Sequence, residues 1–238
     1  MPSRATDSQR QFVQYHQRVL NTNPIAYWPL NEQNGTVAYG WAVRPTGTQN
    51  GTHAGVTLGQ PGIGDGNTVP YYDGANDYTN ILTATFSSAF NGATGAVAMW
   101  LKMANAGVWT DGVARYAMRL SIDANNYIIL IKSSANNILT LTYTAGGVIE
   151  TATIGSSTTD WFHLAMTWSK PAEEVRYYYN GVWQETDITL GVWAGAFAVA
   201  VIGAANTTPA FPWQGYIAHT AIWTRALSDS EIAALVVI

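Results

Sequence analysis

The chain contains no cysteine and few charged residues. Lys, Arg, Asp and Glu together make up only 11% of its 238 residues. The absence of cysteine excludes a disulfide framework, a thiolate metal site and a cysteine nucleophile. The eleven basic residues are spread thinly and the net charge is −4, so the basic surface of a nucleic-acid-binding protein is missing. We therefore expect no nucleic-acid partner.

Long hydrophobic runs are also absent. No stretch of about 18 apolar residues occurs, so we predict no transmembrane helix and no membrane insertion. Residues 1–20 are polar and charged and lack the apolar core of a signal peptide. The expectation from these features is a protein that is kept in the cytoplasm or leaves the cell inside an assembly.

Hydrophobic and aromatic residues are abundant. Hydrophobic residues make up 47% of the chain, with ten Trp and thirteen Tyr, which excludes an intrinsically disordered protein. A chain of this length can bury a full core. Uncharged Thr, Asn, Gly, Ser and Ala fill many polar positions. This composition fits either a surface largely covered by partners or the neutral surface of an ordinary β-protein.

The N-terminal segment predicts a short amphipathic helix over residues 7–20. Asp7 or Ser8 can cap it, and Asn23-Pro24 ends it. One stripe of the helix carries Phe12, Tyr15, His16 and Val19. We divide the chain into an N-terminal helical arm, residues 1–23, and one domain, residues 24–238. The helix either docks on a neighbouring molecule or packs on its own domain.

From residue 25 onward the pattern is typical of an all-β protein. Turn dipeptides such as Asn34-Gly35, Asp73-Gly74 and Asn180-Gly181 separate runs rich in β-branched and aromatic residues. The predicted strands are Ala26–Leu30, Tyr78–Ile81, Ala96–Met103, Tyr116–Ile122, Tyr127–Lys132, Ile138–Thr144, Val148–Ile154, Phe162–Ser169, Val175–Tyr179, Val182–Thr186, Ala198–Ile202 and Trp213–Trp223. Ser228 and Glu231 form a capping box that predicts a short C-terminal helix.

The clearest hairpin is centred on Asn180-Gly181, which suits a two-residue type I′ turn. This register predicts that Tyr178 faces Trp183 and that Arg176 faces Glu185, with an ion pair across the strands.

Several segments, in order along the chain, resemble the laminin-G-like (concanavalin A-like) jelly-roll family. They are Pro24-Ile25-Ala26-Tyr27-Trp28-Pro29-Leu30-Asn31-Glu32, Tyr72-Asp73-Gly74-Ala75-Asn76-Asp77-Tyr78, Trp161-Phe162-His163-Leu164-Ala165-Met166-Thr167, Tyr178-Tyr179-Asn180-Gly181 and Gly215-Tyr216-Ile217 with Ala221-Ile222-Trp223-Thr224-Arg225. The resemblance implies a two-sheet antiparallel jelly-roll sandwich. A short helix followed by the Pro24–Trp28 opening is similar to modules of phage virion proteins.

The sequence departs from this family at its structural calcium site. The closing strand often reads G-x-I-D-E in the family, and the matching positions here are Ile217-Ala218-His219. Tyr39-Gly40-Trp41 stands near the place of a second family Asp. Because calcium needs about six oxygen ligands, often carboxylates, we expect no calcium and no other cofactor.

Catalytic patterns are not evident. Glu185 and Asp187 are spaced for one strand face, as glycosidase acids are, but no third acid follows near Leu190 or Gly191. None of the histidines has the i, i+4 spacing of a zinc motif, and the resemblance implies a structural role for His163. No G-x-S-x-G elbow occurs. We therefore predict no catalytic residues, no metal ligands and no enzymatic activity.

Aromatic residues near turns or polar neighbours are the candidates for ligand contact, since they can stack on sugars or anchor protein interfaces. They are Trp109, Tyr178, Trp183, Trp193 and Trp213. For each, a place in the core is the alternative interpretation.

The sequence predicts a non-enzymatic structural or binding module. The first hypothesis is a phage virion surface protein, in a capsid decoration or a tail, that is assembled in the host cytoplasm. Its partners would be virion proteins or further copies in a homo-oligomer. The alternative is a lectin-like module that binds carbohydrate, and a virion surface module could do both.

Overall fold

The computed structural model describes residues 15–41 and 49–238, so Asp7, Ser8 and Phe12 of the predicted N-terminal helix lie outside it. In the described residues the chain forms two antiparallel sheets of eight strands each. The predicted all-β, two-sheet jelly-roll sandwich is confirmed. No helix in the described part of the chain is long and apolar enough to cross a membrane.

The strands are two to ten residues long, and their bounds follow in chain order. They are β1 (Ala26–Trp28), β2 (Val37–Ala38), β3 (Gly51–Ala54), β4 (Thr57–Pro61), β5 (Thr68–Asp73), β6 (Tyr78–Asn80), β7 (Thr94–Met103), β8 (Arg115–Ser121), β9 (Tyr127–Lys132), β10 (Ile138–Ala145), β11 (Val148–Gly155), β12 (Phe162–Ser169), β13 (Glu174–Tyr179), β14 (Val182–Ile188), β15 (Val199–Ile202) and β16 (Gln214–Trp223). The α-helices are α1 (15–21), α2 (Ala84–Ala89) and α3 (Asp229–Ala234).

Each sheet combines strands from distant parts of the chain. Sheet A has the order β14-β13-β12-β7-β16-β5-β4, with β1 paired to β16. Sheet B has the order β11-β10-β9-β8-β15-β6-β3-β2. Every predicted strand is present, whereas β2, β3, β4, β5 and α2 were not among the predicted elements. Strand β5 contains Pro70, which weakens the strand pattern in the sequence.

The main core lies between the sheets, because alternate residues of each strand point inward. Along β9, Ile128 and Leu130 are buried, and the alternating Ile129 and Ile131 are only half-buried. Large inward rings such as Trp28, Tyr143 and Trp168 are fully buried. Burial of each such side chain stabilises the fold by about 2 kcal/mol relative to exposure.

A second buried cluster lies on the outer face of sheet A, where α1 and α3 pack. Tyr15 and Val19 of α1 are buried against this face. The Tyr15 hydroxyl donates to the Leu235 carbonyl at 2.9 Å and accepts from the Trp100 indole N–H at 2.7 Å. The predicted cap of α3 is confirmed, since Ser228 and Glu231 bond reciprocally. Every strand residue in this cluster belongs to sheet A, so the helices cover one sheet and not the other.

A β-bulge corrects the predicted hairpin register. Tyr178 does face Trp183, but Gln184 is an extra residue, so Tyr177 faces Glu185. The predicted Arg176–Glu185 pair is therefore wrong. Arg176 instead donates to Asp229 Oδ1 at 2.6 Å, at the start of α3.

Candidate functional site

Three of the predicted ligand-contacting residues are buried, so the surface position expected for them is wrong. Trp109 is 1% exposed, and Trp213 and Tyr178 are 0% exposed. Trp109 lies in a 3-10 helix that turns its ring inward, and its indole N–H donates to the Thr158 carbonyl at 2.7 Å. The Tyr178 hydroxyl donates to Asp229 beneath α3. Proximity to a turn did not distinguish these rings from exposed ones.

The other two predicted residues do reach the surface, and ligand contact by them stays a prediction. Trp183 is 50% exposed on β14, and its indole N–H donates to Thr186 Oγ1 at 2.8 Å. Trp193 is half-buried and lines a small cavity of about 220 Å³ together with Phe90 and Phe197. Its ring lies directly on Gly92, where a Cβ would come within 1.9 Å of the indole.

The outer face of sheet B presents a second set of aromatic and polar side chains. Strand register places Tyr116 beside Ile131, Arg119 beside Ile129, and Ser121 beside Tyr127. These rows continue into β10 and β11 through Thr140, Thr142, Thr151 and Thr153. Thr142 and Thr151 lie 3.0 Å apart through their hydroxyl oxygens. We call this surface the sheet B face.

A β-bulge in β8 assembles the sheet B face. Tyr116 and Arg119 are three residues apart, and regular alternation would point them to opposite faces. Ala117 is the extra residue between Tyr116, which pairs with Ile131, and Met118, which pairs with Leu130. The bulge therefore brings both side chains outward, which is a common role of bulges near functional sites.

Phe211 completes an aromatic pair on the sheet B face. Its ring stacks on Tyr116 with 5.6 Å between centroids and 30° between planes. Phe211 is 52% exposed and has a φ of 52°, a left-handed conformation unusual for a bulky residue. An exposed ring held in a strained conformation points to a role other than packing.

Hydrogen bonds fix the loop that carries Phe211. The Tyr116 amide donates to the Phe211 carbonyl at 2.9 Å, and Arg115 Nη1 donates to the Pro212 carbonyl at 3.2 Å. Arg115 in turn pairs with Asp111, which also binds the buried ammonium of Lys132 at 2.7 Å. Burial raises the pKa of Asp111, but hydrogen bonds from Lys132 and Arg115 outweigh it and lower that pKa to about 2.

The sequence did not reveal the sheet B face. Tyr116 lies in a predicted strand, but it is three residues from Arg119, and regular alternation would place the two on opposite faces. Phe211 gave no signal beyond a position between prolines. The Pro-Ala-Phe-Pro segment at residues 209–212, with an aromatic residue between prolines, was the one cue that could have marked it.

Glu185 and Asp187, the two acids spaced for one strand face, lie on β14 at the edge of sheet A. Glu185 faces Tyr177 and Asp187 faces Val175. The Tyr177 hydroxyl donates to Asp187 Oδ2 at 3.1 Å, and burial followed by the charge of Asp187 raises the pKa of Tyr177. Burial and the same charge raise the pKa of Glu150 on β11. Asp187 is thus held by a tyrosine within the edge of the sandwich.

The histidines take structural positions. His163 is 1% exposed, as expected, and burial lowers its pKa to about 3. His219, which follows Ala218 at the place of the family's calcium-binding Asp, lies 3.0 Å from Asp65 Oδ2 and 2.7 Å from the Tyr27 hydroxyl. Within the described ranges, no group of three or more His, Asp or Glu residues is arranged to hold a metal ion.

Solved structures with the same fold include binding domains. The receptor-binding domain of botulinum neurotoxin mosaic serotype C/D matches with a TM-score of 0.66 and 13% identity, over 91% of this chain and 51% of that chain. The botulinum neurotoxin DC binding domain in complex with SialylT matches with a TM-score of 0.66 and 12% identity, over 91% and 51%. This chain thus spans about half the length of these toxin chains.

A single-module match is domain 4 of AbnA, a GH43 extracellular arabinanase from Geobacillus stearothermophilus, in complex with arabinotriose. It has a TM-score of 0.61 and 17% identity, over 90% of this chain and 98% of that chain. At these identities the likeness shows a shared fold.

No curated protein matches the chain in sequence. The family model described as the concanavalin A-like lectin/glucanases superfamily matches residues 73–233, which is more than half of the chain. The chain therefore belongs to the concanavalin A-like lectin/glucanase superfamily.

Proposed function

We propose that the chain is a non-catalytic carbohydrate-binding module that holds a glycan against the sheet B face. The observation that carries the proposal is the asymmetry of the sandwich. Helices α1 and α3 pack on the outer face of sheet A, while the sheet B face presents Tyr116, the exposed Phe211 and the exposed Thr151 and Thr153 of β11. Aromatic rings pack on the apolar side of a sugar, and hydroxyls exchange hydrogen bonds with it.

The solved structures support the same proposal. The similar toxin chains are named as receptor-binding domains, and the similar arabinanase domain was solved with arabinotriose. These printed binding roles support a non-enzymatic binding module here.

The first experiment is a broad glycan array, followed by calorimetry with each glycan that binds. Phe211→Ala should weaken binding about tenfold, because it removes an exposed ring from the stacked pair. Trp183→Ala and Trp193→Ala test the two surface rings predicted from the sequence, and each should bind as the unmodified chain does if the glycan lies on the sheet B face. If no glycan on the array binds, the proposal is contradicted. Loss of binding in Trp193→Ala alone would place the site in the Trp193 cavity instead.

We further propose that the module is carried on the surface of a phage virion, as a capsid decoration or tail component. The similarity of the opening helix and strand to phage modules supports this, as does the sparse charge. Its partners there would be other virion proteins or further copies of the chain. Light scattering should then detect oligomers, and mass spectrometry should find the chain in purified particles. A strictly monomeric chain that is absent from such particles contradicts the proposal.

A further inference from the structure

Arg119 is the one charged side chain that strand register places on the sheet B face in the described strands. It pairs with Ile129 on β9 and Val201 on β15, and the adjacent rows of this face bring Tyr116, Ser121 and Tyr127 near it. A single cation therefore stands in a neutral surface, within a chain whose net charge is −4.

The guanidinium of Arg119 has no carboxylate partner among the described residues. Arg115, Lys132 and Arg176 each lie within 3.2 Å of an Asp or Glu oxygen, whereas Arg119 has no such contact. Its Nη2 donates to Ser121 Oγ at 3.4 Å, a long contact, and its buried Nε has no partner in the described part of the chain. Half-buried cations are usually paired, because burial without a partner is costly.

The rows of the sheet B face put this cation beside the aromatic pair. Tyr116 and Arg119 face Ile131 and Ile129, two residues apart on β9, so their rows are separated by roughly 7 Å. That spacing matches one sugar ring, with the ring on the aromatic pair and a substituent at the guanidinium. Arginine binds carboxylates through two parallel hydrogen bonds, which neutral hydroxyls cannot replace at equal strength.

We propose that Arg119 binds the carboxylate of an acidic sugar, such as a uronic acid, whose ring stacks on Tyr116 and Phe211. This inference rests on the proposed glycan-binding function and narrows its ligand class. The sheet B face then selects acidic glycans by charge and holds them by stacking.

The test compares oligogalacturonates with their methyl esters, which have the same sugar rings and no carboxylate charge. The unmodified chain should bind the acid at least tenfold more tightly than the ester in calorimetry at low salt. Arg119→Gln should reduce affinity for the acid about tenfold or more and leave affinity for the ester unchanged. Arg119→Lys keeps the charge but not the planar fork, so it should recover only part of the loss.

Arg225→Gln is the control for net charge, since it removes one charge near α3, where Arg225 pairs with Glu231. It should leave the preference for the acid intact, and thermal melting confirms that each variant is folded. Equal affinity of the unmodified chain for acid and ester, with both lost in Phe211→Ala, would overturn the inference while the glycan-binding proposal stands. Failure of both oligosaccharides and of the wider array to bind would overturn both.

Discussion

Ion pairs of Asp111 stabilise the loop that carries Phe211. Asp111 is the common acceptor for Arg115 and Lys132, and Lys132 has a fully buried side chain. The same Arg115 holds the Pro212 carbonyl, so the chain of contacts runs from a buried ammonium to the exposed Phe211. The exposed ring therefore depends on an ion pair beneath it.

Asp111→Asn should lower the free energy of unfolding by about 3 kcal/mol at pH 7, because it leaves the Lys132 ammonium buried without a carboxylate. The pKa of Asp111 is lowered from 3.8 to about 2, so its contribution is complete above pH 4 and is lost as the pH falls through the folded-state value. Urea unfolding at pH 7 and at pH 2.5 measures both effects. The variant should lose less stability than the unmodified chain over this range, and an equal loss would contradict the assignment.

At the scale of elements, strand alternation and turn residues predicted the sandwich well. Strands β9 and β12 begin and end where the sequence indicated, and the hairpin turn at Asn180-Gly181 is present with Asn180 at φ 48°. The bulges in β8 and β14 were not predicted, because one inserted residue changes no hydrophobic pattern outside its own strand. The extra residue Gln184 in β14 shifts Glu185 away from Arg176. The extra residue Ala117 in β8 places Tyr116 and Arg119 on the same face.

The burial of individual aromatic rings also could not be predicted from the sequence. Trp109 and Trp213 neighbour turns, as Trp183 does, yet the first two are buried and the third is half-exposed. What separates them is tertiary contact: Trp109 bonds to Thr158, far along the chain, while Trp183 bonds to Thr186 three residues away. Segments distant along the chain therefore decide whether such a ring is covered.

For the whole molecule, the two outer faces are built differently. The sheet A side is closed by α1 and α3, which tie the beginning of the described chain to its end through Tyr15 and Leu235. The sheet B face carries the aromatic pair and Arg119. The main core, made of residues packed between the sheets, separates the two faces. Stability on one side and ligand contact on the other should therefore respond to mutation independently.

Tyr15→Ala tests this separation. Tyr15 is 2% exposed and satisfies both the Trp100 indole N–H and the Leu235 carbonyl, so its removal should lower the free energy of unfolding by about 4 kcal/mol. Tyr15→Phe keeps the ring and should cost about 2 kcal/mol for the two groups left unpaired. Gln17→Ala, at an exposed position of the same helix, is the control, and its free energy of unfolding should change little.

Urea unfolding gives the stabilities, and calorimetry at a temperature where each variant is folded gives glycan affinity. Affinity should stay within twofold of the unmodified chain, because the sheet B face lies across the core; a parallel loss of affinity and stability would show that the two faces are coupled.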